Sequence, residues 1–98
     1  MKGVRFNRLA ERELDEAFLF YEKQSEGLGE RLLQEVELGI GFLRRYPEAA
    51  PKVFGSIRRF VLPSFPYSLL YRSLSSGVLR ILAVAHHKRQ PDYWIGRR

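Results

Sequence analysis

The side chains able to do chemistry in this 98-residue sequence gather in its second half. Arg58, Arg59, Arg72, Arg80, His86, His87, Lys88, Arg89, Tyr93 and Trp94 form a basic and aromatic set. Such a set suits phosphate contact combined with stacking of bases on aromatic rings. It also suits an acidic peptide strand. Residues 1–50 carry eight basic and ten acidic side chains, a net of −2, whereas residues 51–98 carry nine basic side chains and one acid, Asp92, a net of +8. The overall charge of +6 is therefore a property of one half. Seven of those nine cations are arginines, whose planar fork matches phosphate and carboxylate oxygens in pairs.

Other chemistries have little to draw on. There is no cysteine, which excludes a disulfide scaffold, a thiol nucleophile and a zinc finger. Two adjacent histidines on a strand point to opposite faces, so no metal is expected, and no cofactor motif is present. Gly27-Leu28-Gly29 lacks the length and the lysine of a phosphate loop. Serines 56, 64, 68, 73, 75 and 76 have only His86 and His87 as bases and Asp92 as an orienting acid, a weak basis for a triad. No segment has the apolar length of a signal peptide or membrane span, so a cytoplasmic protein without a membrane partner is expected.

The elements that must carry this set follow from period. Val4 and Phe6 alternate with polar residues and predict a strand. Leu14, Ala17, Phe18 and Tyr21 mark one face of a helix over Arg8–Gln24, with Asn7 as its N-cap. A second helix is predicted over Glu30–Tyr46, with Leu32, Leu33, Val36, Ile40 and Leu43 inward and Pro47 as its stop. Gly39 and Gly41 within it predict close approach of another backbone. Then the period becomes two, giving strands Ile57–Leu62, Tyr67–Leu74 and Val78–His87, the last two joined at Ser75-Ser76-Gly77. The expected fold is one α+β domain over residues 1–98: an N-terminal strand, a helical hairpin, then a three-stranded, mostly antiparallel sheet. Alternation places Arg58 with Phe60, Arg59 with Ile57 and Val61, Arg72 with Ser68 and Leu70, and Arg80 with Leu82, Val84 and His86. Phe65, Tyr67 and Tyr71 are expected in the core, and Trp94 serves as a lid or as a stacking platform.

Phe65-Pro66-Tyr67-Ser68-Leu69-Leu70-Tyr71-Arg72 and the later run from Ile81 through His86-His87-Lys88-Arg89 to Tyr93-Trp94 resemble the RelE/ParE toxin superfamily. These are toxins of type II toxin–antitoxin modules, often called plasmid stabilisation proteins. The resemblance implies a cognate antitoxin that neutralises the toxin in a hetero-oligomer and alone contacts operator DNA. It also implies a target. ParE-like members inhibit DNA gyrase, and RelE-like members are ribosome-dependent mRNA endonucleases. On the nuclease reading His86, Lys88, Arg89 and Tyr93 would be catalytic, with Arg58, Arg59, Arg72, Arg80 and Trp94 binding target or nucleic acid. Ser68 stands where the nucleases tend to carry arginine, which favours the ParE-like branch. An inactive relative that retains only antitoxin binding is the third reading.

Overall fold

Asn7 ends a short strand and starts a helix: its side-chain oxygen accepts from the Leu9 and Ala10 N–H groups, at 2.7 and 3.4 Å. The structure is a computed structural model that describes residues 3–98. Strand β1 (Val4–Phe6) leads through this cap into α1 (Arg8–Gln24) and α2 (Leu28–Arg45). Four further strands follow: β2 (Lys52–Phe54), β3 (Ile57–Val61), β4 (Tyr67–Ser73) and β5 (Leu79–His86). They form one five-stranded sheet in the order β1-β5-β4-β3-β2, with β1 parallel to β5 and the other pairs antiparallel.

The α+β class and the helical hairpin agree with expectation, but the sheet has five strands rather than three, because β1 joins it beside β5 and Lys52–Phe54 adds a strand at the other edge. Lys52–Phe54 is exposed at every position, so no buried alternation betrays it. It blunts the sheet edge as a short, basic-tipped strand, which discourages edge-to-edge pairing. Helix α2 also begins earlier than predicted, at Leu28. Its N-cap Gly27 is left-handed (φ 86°) and offers no side chain. Glu22 of α1 supplies the cap instead, accepting from the N–H groups of Gly27, Gly29 and Glu30 at 3.2, 2.8 and 3.3 Å. A carboxylate there satisfies orphan donors and meets the positive end of the helix dipole.

The helices cover one face of the sheet. Ala10, Ala17, Leu32, Val36, Ile40 and Leu43 meet Leu69, Tyr71, Leu79, Ile81 and Val84 in the larger core. Phe65 and Tyr71 are buried there and Tyr67 packs against it. At Gly39 a Cβ would come within 2.7 Å of the Phe60 ring, so the close approach is to a side chain rather than a backbone. Nothing lies within 4 Å of a Cβ at Gly41, and packing gives no reason for that glycine. On the opposite face Leu70, Ala83 and Ala85 form a smaller core closed by Trp94.

A bulge separates the two ends of β5. Tyr71 pairs with Ile81 but Leu70 pairs with Ala83, so Leu82 is an extra residue. Leu79, Ile81 and Val84 consequently all serve the helix-side core. This corrects the predicted face of Arg80, which does not share one with Val84 and His86. Its guanidinium instead reaches the carbonyl oxygens of Phe6 and Arg98, at 3.3 and 3.0 Å.

Candidate functional site: a carboxylate clasp and an adjoining cleft

Strand β1 pairs only with residues 79–81 of β5, so the outer edge of β5 beyond them has no strand partner among the described residues. Glu13 of α1 fills part of that place. Its Oε1 accepts from the Val84 N–H at 3.0 Å and from Arg97 Nη1 at 2.9 Å. Its Oε2 accepts from Tyr93 Oη at 2.6 Å, Arg97 Nη2 at 3.1 Å and Arg89 Nη1 at 3.3 Å. Arg97 thus grips the carboxylate with both prongs, and its Nη1 also reaches the Leu82 carbonyl at 3.2 Å. The Arg89 and Arg97 guanidinium carbons lie 3.7 and 5.0 Å from the centre of the Tyr93 ring, adding cation–π attraction.

Sequence reasoning did not single out Glu13. Its signal was faint: it stands between Ala10 and Ala17, two buried small residues on the same helical stripe, where α1 lies close to β5. Its partners are 71 to 84 residues away, beyond the reach of any local pattern.

Burial, then the hydrogen bond and charge of Glu13, hold the Tyr93 phenol well above its ordinary value near 10, against the opposing pull of Arg89 and Arg97. A phenol held protonated in this way is a hydrogen-bond donor at neutral pH rather than a base. Tyr21, Tyr67 and Tyr71 are also raised, each chiefly by burial. The folded state therefore keeps protons that the unfolded chain loses. That contribution to stability is complete below about pH 10 and falls as pH rises further, because the unfolded tyrosines ionise. Urea unfolding midpoints should decline above about pH 10, and Tyr93→Phe should flatten part of that decline. An unchanged alkaline slope in Tyr93→Phe would contradict the placement of this phenol.

The sequence-predicted residues separate into different environments. Arg58 Nη1 donates to the Glu48 and Ala50 carbonyls, at 3.1 and 2.7 Å, and so fastens the connection after α2. Arg72 lies opposite Arg80 on the neighbouring strand, with its Nε buried and unbonded among the described residues. Neither Arg72 nor Arg80 reaches a helix carboxylate. Trp94 is only 2% exposed, with its ring edge-on to Phe54, so it has no open face on which a base could stack. It is a lid on the second core, which corrects its reading as a binding platform.

The two histidines diverge as strand alternation requires. His86 lies edge-on to Tyr67, with ring centres 4.9 Å apart, and its Nδ1 accepts from the Lys88 N–H at 2.9 Å. His87 Nε2 is 3.0 Å from the Oγ of buried Ser68. Lys88 is exposed on the following turn. Beside these residues lies a cleft of about 390 Å³, lined by Arg59, Ser68, His86, His87, Arg89, Asp92, Tyr93 and Trp94 with their neighbours.

The chain belongs to the ParE toxin family of type II toxin–antitoxin systems, parDE, whose model matches residues 4–91. Among solved structures, a chain of the chromosomal ParDE toxin–antitoxin system from P. aeruginosa shares the fold, with a TM-score of 0.65. It is 16% identical, and the match covers 88% of this chain and 96% of that one. No curated protein matches. The family is one whose members work beside an antitoxin. No helix among the described residues is long and apolar enough to cross a membrane.

Proposed function

We propose that this chain is the toxin of a ParE-type module that inhibits DNA gyrase in the cytoplasm and is neutralised by a cognate antitoxin. The reading is supported by the family and, for the target, by the Glu13 clasp. Arg89 and Tyr93, two of the four side chains that a nuclease reading requires, border the cleft but are both bound to one carboxylate, Glu13. Arg89 shares the single Glu13 charge with Arg97, and burial together with Glu13 holds the Tyr93 phenol protonated. Phosphoryl chemistry needs donors aimed at developing charge, and donors already engaged by a carboxylate supply little of that.

The antitoxin has an apolar surface to cover. Leu38 and Phe42 of α2 and its C-cap Tyr46 recur at four-residue steps, and Leu19 and Phe20 of α1 are also exposed. Such patches on a small protein mark partner surfaces. The resulting hetero-oligomer would reach operator DNA only through the antitoxin, and a plasmid carrying the pair would be stabilised by it.

The test is a supercoiling assay with purified full-length chain and gyrase, run beside a ribosome-bound mRNA cleavage assay. Supercoiling should fall in proportion to toxin while the mRNA stays intact, and added antitoxin should restore activity. Normal supercoiling at saturating toxin, or codon-positioned mRNA cuts, would overturn the gyrase reading.

A further inference from the structure

A second cavity, of about 800 Å³, opens beside the C-terminal end of α2, lined by Phe42, Tyr46, Lys52, Arg58 and the connection after the helix. Arg58 pairs with Tyr71 of the helix-side core, which places this cavity on the opposite side of the sheet from Trp94. We infer that it docks a peptide segment of a partner protein in which a carboxylate stands beside a large apolar side chain. Three observations converge there.

First, Arg58 is held in place without being neutralised. Its Nη1 is engaged by the Glu48 and Ala50 carbonyls, and Tyr71 Oη donates to the Pro47 carbonyl at 2.8 Å, so guanidinium and wall are fixed together. Carbonyl oxygens orient the group but do not cancel its charge, and it has no carboxylate partner among the described residues. With Nη1 engaged, the edge that remains is Nε with Nη2, two parallel N–H groups spaced for the two oxygens of a carboxylate. Neither makes a hydrogen bond among the described residues. The side-chain nitrogens there that are both sealed from solvent and unbonded belong to Arg59 and Arg72, so this edge of Arg58 is open to a ligand.

Second, an aromatic strip runs beside the cation. The ring centres of Phe42 and Tyr46 are 5.4 Å apart, and Phe42 continues to Phe60 at 6.2 Å. Phe42 and Tyr46 are 45% and 54% exposed, so both rings keep open faces. A bare anion would leave those rings in water, whereas an apolar side chain next to the acid would cover them.

Third, the charge of the lining selects an acidic segment. Lys52 is a second cation without a carboxylate partner among the described residues. Glu48 is the one carboxylate of the lining, and it pairs with neither Lys52 nor Arg58. Positive charge is therefore in excess. A volume of about 800 Å³ lies in the upper part of the range for ligand pockets and has room for more than one side chain. The inference rests on the proposed function only in taking a protein partner to cover the aromatic end of α2. It holds whichever target the toxin has.

The purified chain should be titrated at constant ionic strength and followed by backbone amide NMR. The probes are the blocked peptide acetyl-Ala-Asp-Phe-Ala-amide, its Asn-for-Asp and Gly-for-Phe forms, phenylacetate and inorganic phosphate. The first peptide should give saturable shifts confined to residues near 42–58 and 71–73. Each replacement in it should weaken binding by about tenfold, the scale of one charge-assisted contact or one buried ring. Phenylacetate and phosphate should bind more weakly than the peptide.

Arg58→Gln should weaken binding by about tenfold or more, and Arg58→Lys, which keeps the charge but not the paired edge, by less. Tyr46→Ala and Lys52→Gln should each weaken it, while Arg5→Gln, outside the lining, should leave it unchanged. Circular dichroism establishes that each variant is folded. If the Arg58 variants are not, Tyr46→Ala and Lys52→Gln decide, since both side chains are exposed. No saturable shift, equal affinity for the Asn peptide, or unchanged affinity in the folded variants would each overturn the site. Phenylacetate or phosphate binding as tightly as the peptide would overturn the peptide assignment. Peptide binding is read without gyrase, so a negative result here leaves the supercoiling assay to decide the target.

Discussion

Glu13→Ala is expected to lower the stability of the folded chain by about 3–5 kcal/mol, the cost of removing one partner from a buried ion pair. The side chains of Glu13 and Arg97 are 12% and 13% exposed, so the pair is largely shielded from water. Truncation leaves a guanidinium, the Val84 N–H and a phenol without their acceptor. Arg89 contributes less, because its side chain is 52% exposed and its attraction is screened. A domain of this size has only about 5–15 kcal/mol in total, so the loss is a large share. It should lower the melting temperature by more than about 10 °C. Glu13→Gln retains some hydrogen bonds but not the charge and should fall between. A melting temperature within about 2 °C of the parent in Glu13→Ala would show that the clasp does not hold the fold.

Trp94→Ala should be comparably damaging, at about 3–5 kcal/mol, for a different reason. Trp94 is one large side chain closing a small core; Leu70, Ala83 and Ala85 beneath it are short, so they cannot collapse into the space it vacates. The turns over residues 91–96 lose their anchor, and the helix-free face of β4 and β5 becomes exposed. Urea unfolding followed by far-ultraviolet circular dichroism gives the value without needing the lost fluorophore. An effect below about 1 kcal/mol would mean that the helix-side core alone specifies the sheet. Both variants should cause weaker growth arrest than the parent through reduced abundance, since a loss of this size changes the folded population in cells.

The helical hairpin was legible because its information is local. Leu14, Ala17 and Tyr21 repeat at helical steps, Asn7 is a cap by its own chemistry, and Pro47 marks the end of α2 from sequence alone. The start of α2 was not, because its cap is Glu22, a residue of the preceding helix. Strand β2 was missed since Lys52, Val53 and Phe54 are all exposed, leaving no burial pattern to read. The face of Arg80 was misassigned because strict alternation cannot anticipate an extra residue. Leu82 carries no glycine or proline signal for the bulge that re-phases β5.

The site divides in the same way. The basic and aromatic residues were visible as residue types, and the pairing of His87 with Ser68 needed only the fold to bring two known segments together. What the sequence could not rank was which cations are already engaged. Arg58 and Arg80 bind backbone carbonyls, Arg89 and Arg97 bind Glu13, and Arg59 is left facing the cleft. Charge counted along the chain treats all five alike. Only the partners of each separate the arginines that hold structure from Arg59 and Arg72, whose buried Nε atoms are unbonded among the described residues.

The span of the Glu13 clasp also bears on the order in which the protein assembles. The carboxylate belongs to the first helix, yet its bidentate partner Arg97 is translated 84 residues later. Strand β1 likewise waits for β5, its parallel neighbour more than 70 residues downstream. Contacts that close such long loops form late, after local helices and hairpins. The two helices can therefore stand as a nascent hairpin, with Phe20, Leu38 and Phe42 already presented, while the sheet that completes the toxin is still unfinished. An antitoxin that recognises this hairpin would meet the newborn chain before it is fully formed, giving neutralisation a head start over poisoning.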